Sequence, residues 1–259
     1  MKKTLIALAV AASAVVSGSA MAAGWEQNGT GGSVELGGTL TPVTKATPWE
    51  VKVGDAVTGL DGQIQKGQKE VSISVKNAIP VLGIRNADEN GFQGQKGIKP
   101  QIDYQGAVNI DGFKNGVTTV HMEVRGESGN NIGSLEAPFS AAAVASWGGE
   151  YTGSHAVYSS ESNTGFYGGL GKNSPAIRAI GSVELITALS SEFIEKWKQQ
   201  GKWLAEGNEL FEGLGYTYFS AYGSGIEKGQ TIKITLDQAA SGDAPIKWNA
   251  ALPVTVTYM

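Results

Sequence analysis

The chain has 259 residues with 20 Lys and Arg, 24 Asp and Glu, a formal net charge of −4 and no cysteine. An acidic balance without a basic run argues against a nucleic-acid partner, and the missing cysteines exclude disulfides, thiol catalysis and thiolate metal sites. Glycine is abundant, 37 against 8 prolines, with no collagen period and no low-complexity tract, so tight turns between strands are expected.

The first stretch, "MKKTLIALAVAASAVVSGSAMA", reads as a secretory signal peptide at 1–22. Lys2 and Lys3 form a basic start, Leu5 to Val16 is an apolar run, and Ala20-Met21-Ala22 is a small-x-small cleavage site. Cleavage after Ala22 leaves 259 − 22 = 237 residues, with 18 basic and 24 acidic side chains and a net charge of 18 − 24 = −6. No later run is long enough for a transmembrane helix; "FSAAAVASW" (Phe139 to Trp147) comes nearest, at about half the length.

Next comes "GGSVELGGTLTP", Gly31 to Pro42, in which Val34, Leu36, Gly38 and Leu40 alternate with Ser33, Glu35, Gly37 and Thr39. Pro42 and Pro48 separate this amphipathic segment from the first robust strand. Two readings fit it: a first strand of the domain's own sheet, or a detachable strand that fills a partner's sheet.

Period-two alternation then recurs in "WEVKV" (Trp49 to Val53), "EVSISV" (Glu70 to Val75), "QIDY" (Gln101 to Tyr104), "VHMEV" (Val120 to Val124) and "TIKITL" (Thr231 to Leu236). Turn pairs separate these runs: Asp61-Gly62, Asn90-Gly91, Asp111-Gly112, Asn115-Gly116, Ser128-Gly129 and Lys228-Gly229. The pattern predicts an antiparallel sandwich or barrel.

One segment departs from it. "SVELITALSSEFIEKWKQQG" (Ser182 to Gly201) places Val183, Ile186, Leu189, Phe193 and Trp197 three or four residues apart, which predicts an amphipathic helix packed on the sheet, with Ser182 as N-cap and Gly201 after its end. It lies in a region rich in Gly, Ser, Asn and aromatics, about residues 146–215, that reads as an insertion. The sequence closes on "PVTVTYM", in which Val254, Val256 and Tyr258 alternate with Thr255 and Thr257 as a strand with one apolar face.

Catalytic and cofactor signatures are missing. "YGSGIEKG" has Gly223, Gly225 and Gly229 too far apart for a dinucleotide loop, and "GGLGKNS" has Asn173 where a phosphate loop needs Ser or Thr; both are expected to be plain turns. No metal-ligand spacing and no Ser-His-Asp order involve His121 or His155, and His121 is expected to face solvent. No metal and no cofactor are expected, and the chain does not read as an enzyme.

The segments "MKKTLIALAVAASA", "NGTGGSVELGGTLTP", "PWEVKVGDAVTGLDG", "AYGSGIEKGQTIKITL" and "WNAALPVTVTYM" together resemble the major subunits of chaperone–usher fimbriae of enterotoxigenic enterobacteria. In that group the shaft subunit is itself the adhesin, and the lack of cysteine fits it. The match runs through both ends of the mature chain and does not extend through the insert.

The resemblance implies an all-β, incomplete immunoglobulin-like sandwich lacking its last strand, completed by donor-strand exchange. It implies a donor-strand extension at 23–41 and a pilin domain at 42–259. Gly32, Val34, Leu36, Gly38 and Leu40 would form the donor strand; Val254, Val256, Tyr258 and Met259 would form the strand that meets the chaperone or a neighbour. Thr30 departs from the bulky apolar residue expected at its position. Implied partners are identical subunits, a periplasmic chaperone, an outer-membrane usher and a host glycan receptor, with export through the periplasm to a surface fimbrium.

Within the insert, Trp147, Tyr151, Tyr158 and Trp203 are candidates for glycan contact, against the alternative that most of these rings cap the core. Two competing readings concern the whole protein. An outer-membrane β-barrel needs strands of about 9–11 residues and has no place for the helix. A secreted carbohydrate-active enzyme survives only because paired carboxylates leave no spacing signal.

Overall fold

The structure, a computed structural model, describes Gln27, residues 36–41 and residues 46–259. The expected signal peptide, Gly32 and Val34 lie outside the described residues. Two units divide the chain, Met1–Thr44 and Lys45–Met259. In the first, residues 36–41 are exposed and carry no helix or strand.

The alternating runs of the second unit form strands β1 (Trp49–Val53), β2 (Glu70–Ser74), β3 (Ile79–Asn86), β4 (Phe92–Gln93), β5 (Pro100–Asp103), β6 (Val117–Gly126), β7 (Asn131–Gly148) and β8 (Thr152–Ala156). After α1 (Ser182–Leu189), the one α-helix among the described residues, follow β9 (Lys202–Trp203), β10 (Thr217–Ile226), β11 (Thr231–Leu236), β12 (Trp248–Asn249) and β13 (Thr255–Tyr258). The main sheet runs β1-β3-β10-β7-β11-β2, and β13 pairs with β5 in a sheet of their own.

β7, 18 residues long, serves both ends of the main sheet. Its first half pairs with β6 and β11, its second with β10 and β8. The β5–β13 pair lies across the core from β10: the Tyr104 hydroxyl sits 2.9 Å from that of Tyr222 and 2.8 Å from that of Ser224. Between the layers are Leu82, Ile84, Val120, Val124, Phe139, Ile232 and Ile234, all nearly or fully buried. The expected all-β sandwich with an inserted helix is the fold the chain adopts.

"SAAAVAS" becomes a strand buried on both faces. Ala141, Ala143 and Ala145 face the main core, while Ala142 and Val144 join Ala221 beneath Leu185, Ile186, Leu189 and Phe193. Helix and sheet approach closely because their contact is made of small residues. A Cβ at Gly83 would stand 2.1 Å from the Phe193 ring, and one at Gly223 would stand 3.0 Å from Ile186.

That contact corrects two expectations. Gly223 and Gly225 are not turn residues; they lie inside β10 under the insert, and only Gly229 occupies a turn, with φ of +86°. The helix also stops at Leu189, not near Gly201, because Ser190 is extended and a short 3-10 turn at Ser191–Phe193 swings Phe193 down onto Gly83. Paired serines compete for backbone hydrogen bonds and favour such a break. Gly181, in the left-handed region at φ +87°, takes the N-cap position assigned to Ser182. Asp61-Gly62 likewise makes no turn: Gly62 lies against Val71 and Ile73.

The insert is also joined to β10 through Arg178. Its guanidinium donates to Glu227 at 2.9 and 3.2 Å, and the Ser140 hydroxyl donates to the same carboxylate at 2.6 Å. Burial alone would raise the Glu227 carboxyl, but these donors outweigh it and hold it below its ordinary value. A carboxyl depressed in the fold contributes stability above its unfolded value and loses it as pH falls through the folded value.

Arg178→Gln should therefore cost about 1–2 kcal/mol at neutral pH and reduce the stability lost on acidification below about pH 4, both read by urea unfolding. An acid limb as steep as the wild type's would contradict the assignment. Gly83→Val should lower stability by about 1–3 kcal/mol through overpacking; an unchanged urea midpoint would show that the Phe193 ring is not held there.

Candidate functional site

Hydrogen-bond parity identifies which backbone groups of β13 are left over. Lys99 and Met259 exchange bonds in both directions, at 3.0 and 3.1 Å. In an antiparallel ladder such pairs alternate, so Gln101/Thr257 and Asp103/Thr255 also face each other with both bonds. The N–H and C=O groups of Val254, Val256 and Tyr258 consequently point away from β5. Among the described residues no partner takes them.

The other edge of β5 is covered: Ile102 N–H donates to Tyr167 O at 2.7 Å, and Pro100 O accepts from Phe166 N–H at 2.7 Å. The free edge of this small sheet is therefore that of β13.

The side chains of β13 follow the same alternation. Leu252, Val254, Val256 and Tyr258 are half-buried and packed against the main core, while Thr255 and Thr257 are exposed. Met259 is 54 % exposed. An apolar row in contact with the core and still half open to water is under-covered.

β1 has the same character. Ala87 N–H donates to Pro48 O at 2.8 Å and Gly54 N–H to Val81 O at 2.9 Å, so even-numbered residues of β1 bond to β3. The backbone groups of Trp49, Val51 and Val53 point to the outer edge. Trp49 is buried, yet Val51 and Val53 on the same face are 41 % and 57 % exposed. The two free edges meet at one end of the sandwich: the Trp49 indole N–H donates to Ile98 O at 2.5 Å, and the next residue, Lys99, pairs with Met259.

The even-numbered side chains of β1 have a different task. Glu50 accepts from Arg85 and Lys196, both at 2.9 Å, and Lys52 pairs with Glu192. The hydrogen bond from Lys196, then that from Arg85, keeps the Glu50 carboxyl below its ordinary value. Arg85 also donates to Glu195 at 2.9 Å. Glu50, Lys52, Arg85 and Glu192 line a cleft of about 370 Å³ with Phe193, and their pairs with one another and with Glu195 and Lys196 fasten β1 and β3 to the insert.

Of the expected donor residues, Leu36 and Leu40 are 93 % and 96 % exposed, and Gly38 is exposed between them. Of the expected C-terminal strand residues, Val254, Val256, Tyr258 and Met259 share one strand and its continuation.

The aromatic candidates do not form one site. Trp147 pairs with Gly153, and its ring lies on the face of Leu204 and edge-on to His155 at 5.1 Å. Trp203 pairs with Ser154, one residue further, and so projects to the opposite face, edge-on to Trp197 at 6.1 Å. Tyr151 is 67 % exposed at the β7–β8 turn, while half-buried Tyr158 lies beyond the other end of β8. His121 is exposed, as expected. Reasoning from sequence missed the edge role of Val51 and Val53. The signal was present in "WEVKV", where the face begun by buried Trp49 continues into two valines.

A family model described as "Fimbrial, major and minor subunit" matches residues 1–259. Relatives from Escherichia coli include K88 fimbrial protein AB, 32 % identical, K88 fimbrial protein AD, 31 % identical, and the F41 fimbrial protein, 28 % identical, each matched over the full length of both chains. The sandwich is thus that of a structural fibre subunit exported to the cell surface, and its relatives are fimbrial proteins. The chain belongs to the K88-type family of fimbrial subunits, and the match includes the insert. No helix among the described residues is long and apolar enough to cross a membrane.

Parity makes a clean test of the edge assignment. Thr257→Pro removes a ladder donor to β5 and should destabilise the domain by about 1–3 kcal/mol. Val256→Pro removes an outward N–H, which an edge strand tolerates, and trims one half-buried side chain, so it should lower the urea midpoint clearly less than Thr257→Pro. Equal losses would contradict the assignment.

Proposed function

We propose that the protein is the major subunit of an adhesive fimbria and polymerises by donor-strand exchange, residues 31–40 of one copy filling the slot between β1 and β13 of the next. The observation that carries this reading is the pair of free edges, Val51–Val53 and Val254–Tyr258, flanking an under-covered apolar row. The unit 23–41 is the donor extension, 42–259 the pilin domain, and about 146–215 its insertion. A chain holding both donor and acceptor can repeat indefinitely, which suits a shaft.

The magnitudes favour a long-lived joint. Burying Val34, Leu36 and Leu40 in a neighbour contributes roughly 1.5–3 kcal/mol each, and each added backbone hydrogen bond about 1 kcal/mol net. Gly32 and Gly38 suit the places where the slot is shallow. Before assembly a periplasmic chaperone occupies the same edge and an outer-membrane usher exchanges it for the next subunit.

Deleting residues 31–40 should abolish fibres while leaving chaperone binding intact. A synthetic peptide of residues 28–41 should then raise the melting temperature of the truncated protein. Fibres that persist after the deletion would sink the donor assignment, and an absent thermal shift would count against the slot.

Adhesion is assigned to the insert, with a host glycan as ligand. The exposed rings Tyr151 and Trp203 are the better stacking platforms, because Trp147 and Tyr158 are already half-buried. On a glycan array, fibres carrying Tyr151→Ala or Trp203→Ala should lose signal with no change in fibre yield. Signal unaffected by both would place the ligand elsewhere.

A further inference from the structure

The rung that ends the β13 ladder is held by a buried charge. Lys99 exchanges both backbone bonds with Met259, at 3.0 and 3.1 Å, and its Nζ donates to Glu212 Oε1 at 2.5 Å. The Lys99 side chain is 10 % exposed and that of Glu212 is 27 % exposed. An ammonium so placed is costly unless paired, and removing one member of such a pair strands the other. The same stretch is fixed to the 209–216 segment by the backbone, Gln95 N–H to Phe211 O at 2.9 Å and Gly94 N–H to Tyr216 O at 3.2 Å. Trp49 Nε1 adds its bond to Ile98 O from β1.

β13 has one ladder, made of the Thr255/Asp103, Thr257/Gln101 and Met259/Lys99 pairs. Its position depends on where residue 99 stands, and residue 99 is placed by its side chain as well as by its neighbours.

We propose that Lys99 and Glu212 are positioning residues for the fibre joint, the ion pair holding the last rung of β5–β13 so that the free edge beyond it accepts a strand. This rests on the donor-strand reading. It makes the end of the insert, where Glu212 stands, a structural part of the joint.

The test uses the full mature chain, comparing wild type, Glu212→Ala, Lys99→Met and the double variant by amide hydrogen exchange of the subunit and by the temperature at which fibres dissociate in detergent. Each single variant should speed exchange at Thr257 and Met259 by about tenfold and lower the dissociation temperature, with Ile84 and Tyr222 unchanged. The double variant should be no worse than either single one, as a shared interaction requires. Lys99→Arg, which keeps the charge, should restore slow exchange at both amides.

Should Glu212→Ala fail to fold, Lys99→Met decides, since its stem still fills the site and Glu212 can turn to water. Uniform acceleration that includes Ile84 and Tyr222, additive effects, or wild-type behaviour in Lys99→Met would overturn the proposal. Failure of the underlying reading looks different: wild-type Val256 and Tyr258 would then exchange as fast in fibres as in the free subunit.

Discussion

Backbone polar groups must be paired, and this fold leaves some at a buried boundary. Where β13 and β1 end the two layers, the groups of Val254, Val256 and Tyr258 and of Trp49, Val51 and Val53 point outward beside apolar side chains. Water can satisfy those groups only by also wetting the half-covered core. A strand laid between them removes both costs together. The exposed, alternating segment that includes Leu36 and Leu40 has the complementary deficit, apolar side chains without cover.

The rest of the molecule makes that slot rigid. β7 spans both ends of the main sheet, and Tyr104, Tyr222 and Ser224 link the layers through buried hydroxyls. Burial lifts the Tyr104 hydroxyl to about 12, so the link stays protonated at any physiological pH. On the outer face the insert packs on Gly83, Gly223 and Gly225 and is fastened by the Arg178–Glu227 and Lys196–Glu50 pairs. The exposed pairs contribute little singly; their effect is to keep β1 in place as an edge.

Much of this was legible in the residues. Alternation in "WEVKV", "EVSIS", "TIKITL" and "PVTVTYM" gave strands within a residue or two of those observed, because each has one face in the core and period-two patterning reports that directly. "SAAAVASW" and "AYGSGI" were opaque for the opposite reason: both faces are buried, so no alternation remains, and the glycines mark a close approach of Phe193 and Ile186 instead of turns. The helix end at Ser190 follows from a tertiary contact that local periodicity does not contain. Lys99 carries no pattern at all, since its importance comes from Glu212, distant in sequence. Of the glycan candidates, selected by residue type, Trp147 on β7 and Trp203 on β9 project to opposite faces of the sheet, which composition cannot reveal.

The central claim is that the slot between β1 and β13 is filled in the fibre by residues 31–40 of another copy. A reconstruction of the assembled fibre by electron cryo-microscopy tests it most directly. The account predicts a strand between Val51–Val53 and Val254–Tyr258 that traces back to a neighbouring subunit and places Leu36 and Leu40 in the core. An empty slot, or a strand tracing back to the same chain, would contradict it.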